Sequence, residues 1–317
     1  MEILKLKPVF KDYIWGGTRL TDDFGFDTGF DKTAEGWMLA CHKDGMNTVE
    51  GGEFDGMPLD RVIEAVGAET LCGTHSARYP YFPVLIKLID AHDNLSVQVH
   101  PDDAYARRVE NEFGKTEAWY VLDAEEGAEL VYGFNRTLDK EDFRSAIENG
   151  TLPEVLNRVK VKKGDLFFIE AGTLHAIGRG VLIAEIQQNS NCTYRVYDYG
   201  RLGKDGRPRE LHIEKALDVT VTAPPTHRVG ADGSEEQRGG HTYQHLTACD
   251  IFSVERYRVT DAVALGADET SFHHLLFLDG EGSVNGRPAK KGDSFLVPAG
   301  YGSYTVSGNA EFLLTKI

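Results

Sequence analysis

Short apolar stretches separated by glycine- and aspartate-rich turn signals recur along this chain, and that spacing predicts a mainly β protein. Strands are expected at residues 82–89, 117–122, 166–169, 181–186 and 192–197, the last alternating apolar and polar side chains as a half-buried strand does. Residues 1–60 hold only short strands between turns such as Trp15-Gly-Gly17 and Glu50-Gly-Gly52. Helices are expected where the apolar spacing changes to three and four. Residues 57–67 place Leu59, Val62, Ile63 and Val66 on one face with Gly67 as the stop, and 102–110, 140–149 and 212–219 read as three further short helices. Residues 223–240 are polar, Gly-rich and aperiodic, and predict a linker or loop.

One stretch occurs twice. Residues 162–172, KKGDLFFIEAG, return as 290–300, KKGDSFLVPAG, with seven of eleven positions identical. Each copy has a Gly-Asp turn feeding a strand that ends in a small-residue turn, so two β-barrels of one design are expected. The division is residues 1–222, the linker or loop at 223–240, and residues 241–317. The first copy continues to His175, whereas the second has Ser303 at the same offset, which marks the second barrel as degenerate.

Polar residues in apolar surroundings point to chemistry. Alternation in a strand puts Gln98 and His100 on one face, Val97 and Val99 on the other. Glu117 opens the next strand, and His175 follows a third through a short turn. Two imidazoles, a carboxylate and an amide oxygen are a donor set for a first-row divalent metal with a position left open. Taken singly, His100 beside Pro101 reads as well as a helix cap, and Glu117 as a solvated strand end. Lys87 stands inside an apolar strand, where a lysine is costly unless paired or functional. Trp15 and Trp119 read as core, and the adjacent His273 and His274 as structural.

Charge narrows the partners. Fifty acidic against 34 basic residues give a net charge of −16, which argues against nucleic acid or an anionic membrane as partner and requires a local basic pocket for any anionic substrate. Four scattered cysteines without a C-x-x-C pair suggest reduced thiols. With no signal-peptide pattern and no membrane-length apolar run, a cytoplasmic location is expected.

The run from Gly164 to His175 is similar to the second motif of the cupin superfamily, with Glu170 where proline is common. Ile14-Trp-Gly-Gly17, Leu85-Ile-Lys-Leu88, Leu95-Ser-Val-Gln-Val-His-Pro-Asp-Asp103, Gly114-Lys-Thr-Glu117, Glu185-Ile-Gln-Gln-Asn-Ser190 and Thr193-Tyr-Arg-Val-Tyr-Asp198 together resemble the type I mannose-6-phosphate isomerase family in its short form. The resemblance spans most of the chain. It implies a double cupin fold with a small helical insertion, and one zinc ion per chain held by Gln98, His100, Glu117 and His175. It also implies a catalytic Arg195, with a structural ion pair to Asp198 or Glu185 as the competing reading. The reaction implied is interconversion of mannose 6-phosphate and fructose 6-phosphate through an enediol. Within that mechanism Lys115 and Asp198 are candidate bases, Lys87 with Ser96 candidate phosphate ligands, and Asp198 counts with those two as a substrate-binding residue. A metal cupin oxygenase and a non-catalytic sugar-binding cupin remain the alternatives, and monomer or homodimer is left open.

Overall fold

A computed structural model describes residues 1–317 and consists of antiparallel sheets with a few short helices. A six-stranded sheet runs in the order Leu166–Ile169, Glu117–Ala124, Val181–Gln188, Val84–Ala91, Glu35–Leu39, Val9–Lys11. Its central strands Val84–Ala91 and Val181–Gln188 are buried along their whole length, so both faces of the sheet are covered. One face carries Trp119, Val121, Ile183 and Ile89 into a core closed by Leu130, Tyr132 and Ile177 of a five-stranded sheet. That second sheet has the order Leu156–Lys160, Glu129–Phe134, His175–Ile177, Val97–Val99, Tyr194–Tyr197. The two sheets form the first jelly-roll of the cupin fold. The other face of the six-stranded sheet carries Ala118, Tyr120, Ala184, Ile186, Ile86 and Leu88 into the largest core, shared with Leu276, Leu296 and Leu313 of the C-terminal half.

The C-terminal half is built on a ten-stranded sheet in which His273–Val284 and Gly302–Lys316 are the long central pair. Alternation again splits its residues: Leu276 and Leu313 face the shared core, while Leu275, Phe277, Phe312 and Leu314 fill a second core. The first strand of the chain, Leu4–Lys7, pairs with Ser294–Val297 and so lies in this sheet. The expected loop at 223–240 differs at its end. Glu236–Arg238 is a strand paired with His241–Ala248 across Gly239-Gly240, with Gly239 at φ 60°; two adjacent glycines supply a tight hairpin, a signal hidden by the polarity of the segment.

Helices lie at the four expected places: Leu59–Val66, Asp103–Val109, Lys140–Glu148 and Ile213–Val219. The second is capped by Asp102, whose carboxylate accepts from the Tyr105 N–H at 2.8 Å, which frees His100 from that role. Lys140–Glu148 and Ile213–Val219 cover the outer face of the five-stranded sheet through Phe143, Ala146, Ala216 and Leu217.

The repeated stretch makes the same turn twice. Gly164 and Gly292 have φ 90° and 89°, and Asp165 and Asp293 accept from the Lys162 and Lys290 N–H groups at 3.0 and 2.9 Å. The strands that follow occupy matching places: Ile169 pairs with Glu117, and Val297 with His273. His273 thus holds in the second half the place of Glu117 in the first, with its Nδ1 2.7 Å from the Tyr304 hydroxyl.

Candidate metal and active site

Each sheet of the first jelly-roll contributes one row of polar side chains to the space between them. On the five-stranded sheet His175 pairs with Gln98, and Gln98 with Arg195. On the six-stranded sheet Lys87 pairs with Glu185, and Glu185 with Trp119. Glu117 and His100 stand at strand ends next to these rows. The facing rows create a cavity of about 290 Å³ lined by Ser96, Gln98, Lys87, Lys115, Glu185 and Arg195 among others.

His100, Glu117 and His175 are buried beneath it, with one donor atom of each within 4.8 Å of the others. His100 Nε2 lies 3.6 Å from Glu117 Oε2, and His175 Nε2 lies 3.4 Å from Glu117 Oε1. Two donors each ~2.1 Å from a zinc ion at a tetrahedral angle are ~3.4 Å apart, so the spacing suits such an ion. The imidazoles are oriented from behind. His100 Nδ1 is 2.9 Å from the Cys192 carbonyl and His175 Nδ1 2.8 Å from the Thr173 carbonyl, which places the N–H on Nδ1 and turns the Nε2 lone pairs toward Glu117.

The charge states agree with a ligand set. Burial, with Lys115 and His175 close by, holds His100 well below its ordinary pKa. Burial pushes His175 down to about 4, against the opposing pull of the Thr173 carbonyl. Both imidazoles are therefore neutral, as ligands must be. Both carboxylate oxygens of Glu117 are buried without a hydrogen-bond donor. The Lys115 ammonium is 2.9 Å from Oε2 as an ion pair, outside hydrogen-bond geometry. Burial and the nearby Glu185 raise the Glu117 pKa against the pull of Lys115 and Lys87; three carboxylates, Glu117, Glu185 and Glu35, face two lysines, and a divalent cation would supply the missing counter-charge. Gln98 fits with one adjustment. Its Nε2 is 3.5 Å from His175 Nε2, and an amide half-turn presents Oε1 instead.

The remaining site residues differ in their place at the cavity. Lys115 and Ser96 line the cavity; Lys115 Nζ also lies 3.1 Å from His100 Nε2 and 3.9 Å from Glu185 Oε1. Lys87 lines it too, but its Nζ is 3.0 Å from Glu185 and 3.8 Å from Glu35, so two carboxylates match its charge. Asp198 does not line the cavity and instead accepts from Arg201 and Arg209. Arg195 makes neither of the ion pairs weighed for it. Its Nη1 donates to the Glu210 carbonyl at 2.9 Å and its buried Nε has no partner. Trp15 and Trp119 are buried in the core between the sheets, though Trp15 also borders the cavity.

Sequence reasoning missed Glu185, Glu35 and Arg209 as cavity residues. Glu185 sits on the apolar strand opposite Lys87 and also accepts from the Trp119 indole at 2.9 Å; Lys115 and Lys87 outweigh its burial and hold its pKa low. A carboxylate in an apolar strand was its signal, of the same kind as Lys87. Glu35 lies on a short strand with no such contrast, and Arg209 in a polar loop, where an arginine is unremarkable.

The family described as phosphomannose isomerase type I, catalytic domain, matches residues 3–136, and the mannose-6-phosphate isomerase cupin domain matches residues 242–317. The chain is 41% identical over its full length to mannose-6-phosphate isomerase ManA of Bacillus subtilis (strain 168), covering 99% of that protein. It is 38% identical to the mannose-6-phosphate isomerase of Streptococcus mutans, with 98% of this chain and 97% of the other covered. The crystal structure of the mannose 6-phosphate isomerase from Bacillus subtilis superposes with a TM-score of 0.90 at 37% identity, covering all of both chains. With the cupin fold, the paired polar rows and the His-Glu-His cluster in place, this chain belongs to the type I phosphomannose isomerase family.

Proposed function

We propose that this protein interconverts mannose 6-phosphate and fructose 6-phosphate by proton transfer between C2 and C1, at a zinc ion held by Gln98, His100, Glu117 and His175. The observation that carries the reading is the buried donor set beneath a cavity lined by Lys115 and Arg195, in a chain of this family. When bound, the metal supplies a Lewis acid that favours negative charge on the sugar oxygens. The protein supplies the rest. A base removes the C2 proton of the open-chain aldose, an enediol forms, the proton returns at C1, and the hydroxyl proton passes from O2 to O1. Lys115 reaches the cavity between Glu117 and Glu185 and is the group placed to carry the carbon-bound proton, taking it from C2 as the neutral amine and returning it to C1 from the ammonium so formed. Arg195, in register with Gln98 and free of any carboxylate, offers its guanidinium to the developing enediolate oxygen. Asp198 is better suited to holding arginines than to serving as base. Burial alone would raise its pKa, but Arg209 and Arg201 hold it below the usual carboxylate range.

The test is turnover of mannose 6-phosphate in deuterated water, followed by NMR of the product. Label from solvent at C1 of fructose 6-phosphate is expected for an enediol. Efficient conversion with no label would point to internal hydride transfer or a shielded proton, and no conversion would remove the activity itself.

A further inference from the structure

Four cations line the cavity: Lys87, Lys115, Arg195 and Arg209. Glu185, Glu35 and Glu117 match the two lysines with one carboxylate to spare, whereas the arginines stand in a cluster that holds more guanidiniums than carboxylates and can meet an anionic substrate. Arg195 stands in register with Gln98 and so beside the metal donors, whereas Arg209 comes from the loop beyond that strand. Two nitrogens of the Arg209 guanidinium are clamped: Nε and Nη2 donate to the Asp198 carboxylate at 2.7 and 2.5 Å, leaving Nη1 free. Asp198 is 6% exposed and also accepts from Arg201 Nη2 at 2.6 Å. Asp93 also lies 3.8 Å from Arg201 Nη1, so three guanidiniums against two carboxylates leave one positive charge, and a phosphate monoester carries about −1.5 to −2 at pH 7. The guanidiniums also repel one another. After burial, Arg209 is the main influence holding the Arg195 pKa down, and an anion placed among them relieves that repulsion.

We propose that Arg209, clamped by the buried Asp198, anchors the substrate's phosphate and selects the phosphorylated sugar over the free sugar. Asp198 is then a positioning residue that fixes the guanidinium plane of Arg209 and leaves Nη1 to donate to a phosphate oxygen. The inference rests on the isomerase reading above.

The experiment compares Arg209→Gln and Arg209→Lys with the wild type in kcat/KM for mannose 6-phosphate and for free mannose, and titrates each protein with inorganic phosphate by calorimetry. Loss of a charge-assisted hydrogen bond to phosphate corresponds to about 10- to 100-fold in affinity. Arg209→Gln is therefore expected to raise KM for mannose 6-phosphate by about that factor with kcat changed only a few-fold. The preference for the phosphorylated sugar and the affinity for inorganic phosphate should fall in parallel, and Arg209→Lys should recover part of both. Unchanged KM and unchanged phosphate affinity in Arg209→Gln would overturn the proposal, as would equal losses on both sugars. Should the wild type fail to isomerise mannose 6-phosphate, the functional reading falls, while the phosphate titration still decides whether Arg209 holds the anion.

Discussion

Arg195 is a half-buried cation without a carboxylate partner, and that isolation fits it for charge that appears only during reaction. Its Nη1 is fixed by the Glu210 carbonyl, its backbone N–H donates to His212 Nδ1 at 3.2 Å, and its Nε has no acceptor in the protein. Arg195→Lys should keep the metal content, because no ligand is touched, yet lower kcat by about 100-fold, the usual effect of removing one preorganised oxyanion donor. Steady-state kinetics with metal analysis checks this, and a kcat within a few-fold of wild type would reduce Arg195 to a structural role. The donor residues were legible one by one because histidine, glutamate and glutamine interrupt apolar strands. The assignments of Lys87 and Asp198 were not, because both depend on partners brought from distant strands. Glu185 reaches Lys87 across the sheet, and Arg209 reaches Asp198 from a loop.

The segment that links His100 to Glu117 is held by close backbone packing as well as by its helix. A side chain on Gly114 would place Cβ 2.5 Å from the Asp102 carbonyl carbon and from the Asp103 N, both rigid main-chain atoms. The Lys115 N–H also donates to the Pro101 carbonyl at 3.0 Å, so Gly114 sets where Lys115 and Glu117 enter the site. Gly114→Ala is expected to displace both, and a shift near 1 Å at reacting groups costs about 100-fold in rate. Activity within a few-fold of wild type, with the fold intact by circular dichroism, would show that the segment yields without harm. Strand and helix positions came through from the sequence because alternation and three-four spacing are local properties. The pairing order is not local. Nothing near Leu4–Lys7 indicates that this strand joins a sheet formed by residues almost three hundred positions later.

Across the whole molecule, the six-stranded sheet serves two cores at once: its inner face carries the polar row, and its outer face packs on the C-terminal half. The duplicated turn explains how the halves share a design while differing in chemistry, with His273 in the place of Glu117. His273 and His274 are buried, and burial pushes their pKa values down to about 4 and about 3. As pH falls through the ordinary value of 6.5 toward these values, the unfolded chain takes up protons that the folded chain refuses. Their contribution to stability is therefore complete above pH 6.5 and is lost below it. His274→Gln should be less stable than wild type at pH 7, with a Tm gap that narrows as the pH is lowered to 4. A gap that stays constant would mean that His274 does not titrate on unfolding. The central claim, that this isomerase works through a metal at Gln98, His100, Glu117 and His175, is tested most directly by assaying mannose 6-phosphate turnover in chelator-treated protein with its metal content measured in parallel. About one ion per chain before treatment, loss of activity with the ion and its return on adding zinc are the predicted results, whereas undiminished turnover in metal-free protein would contradict the account.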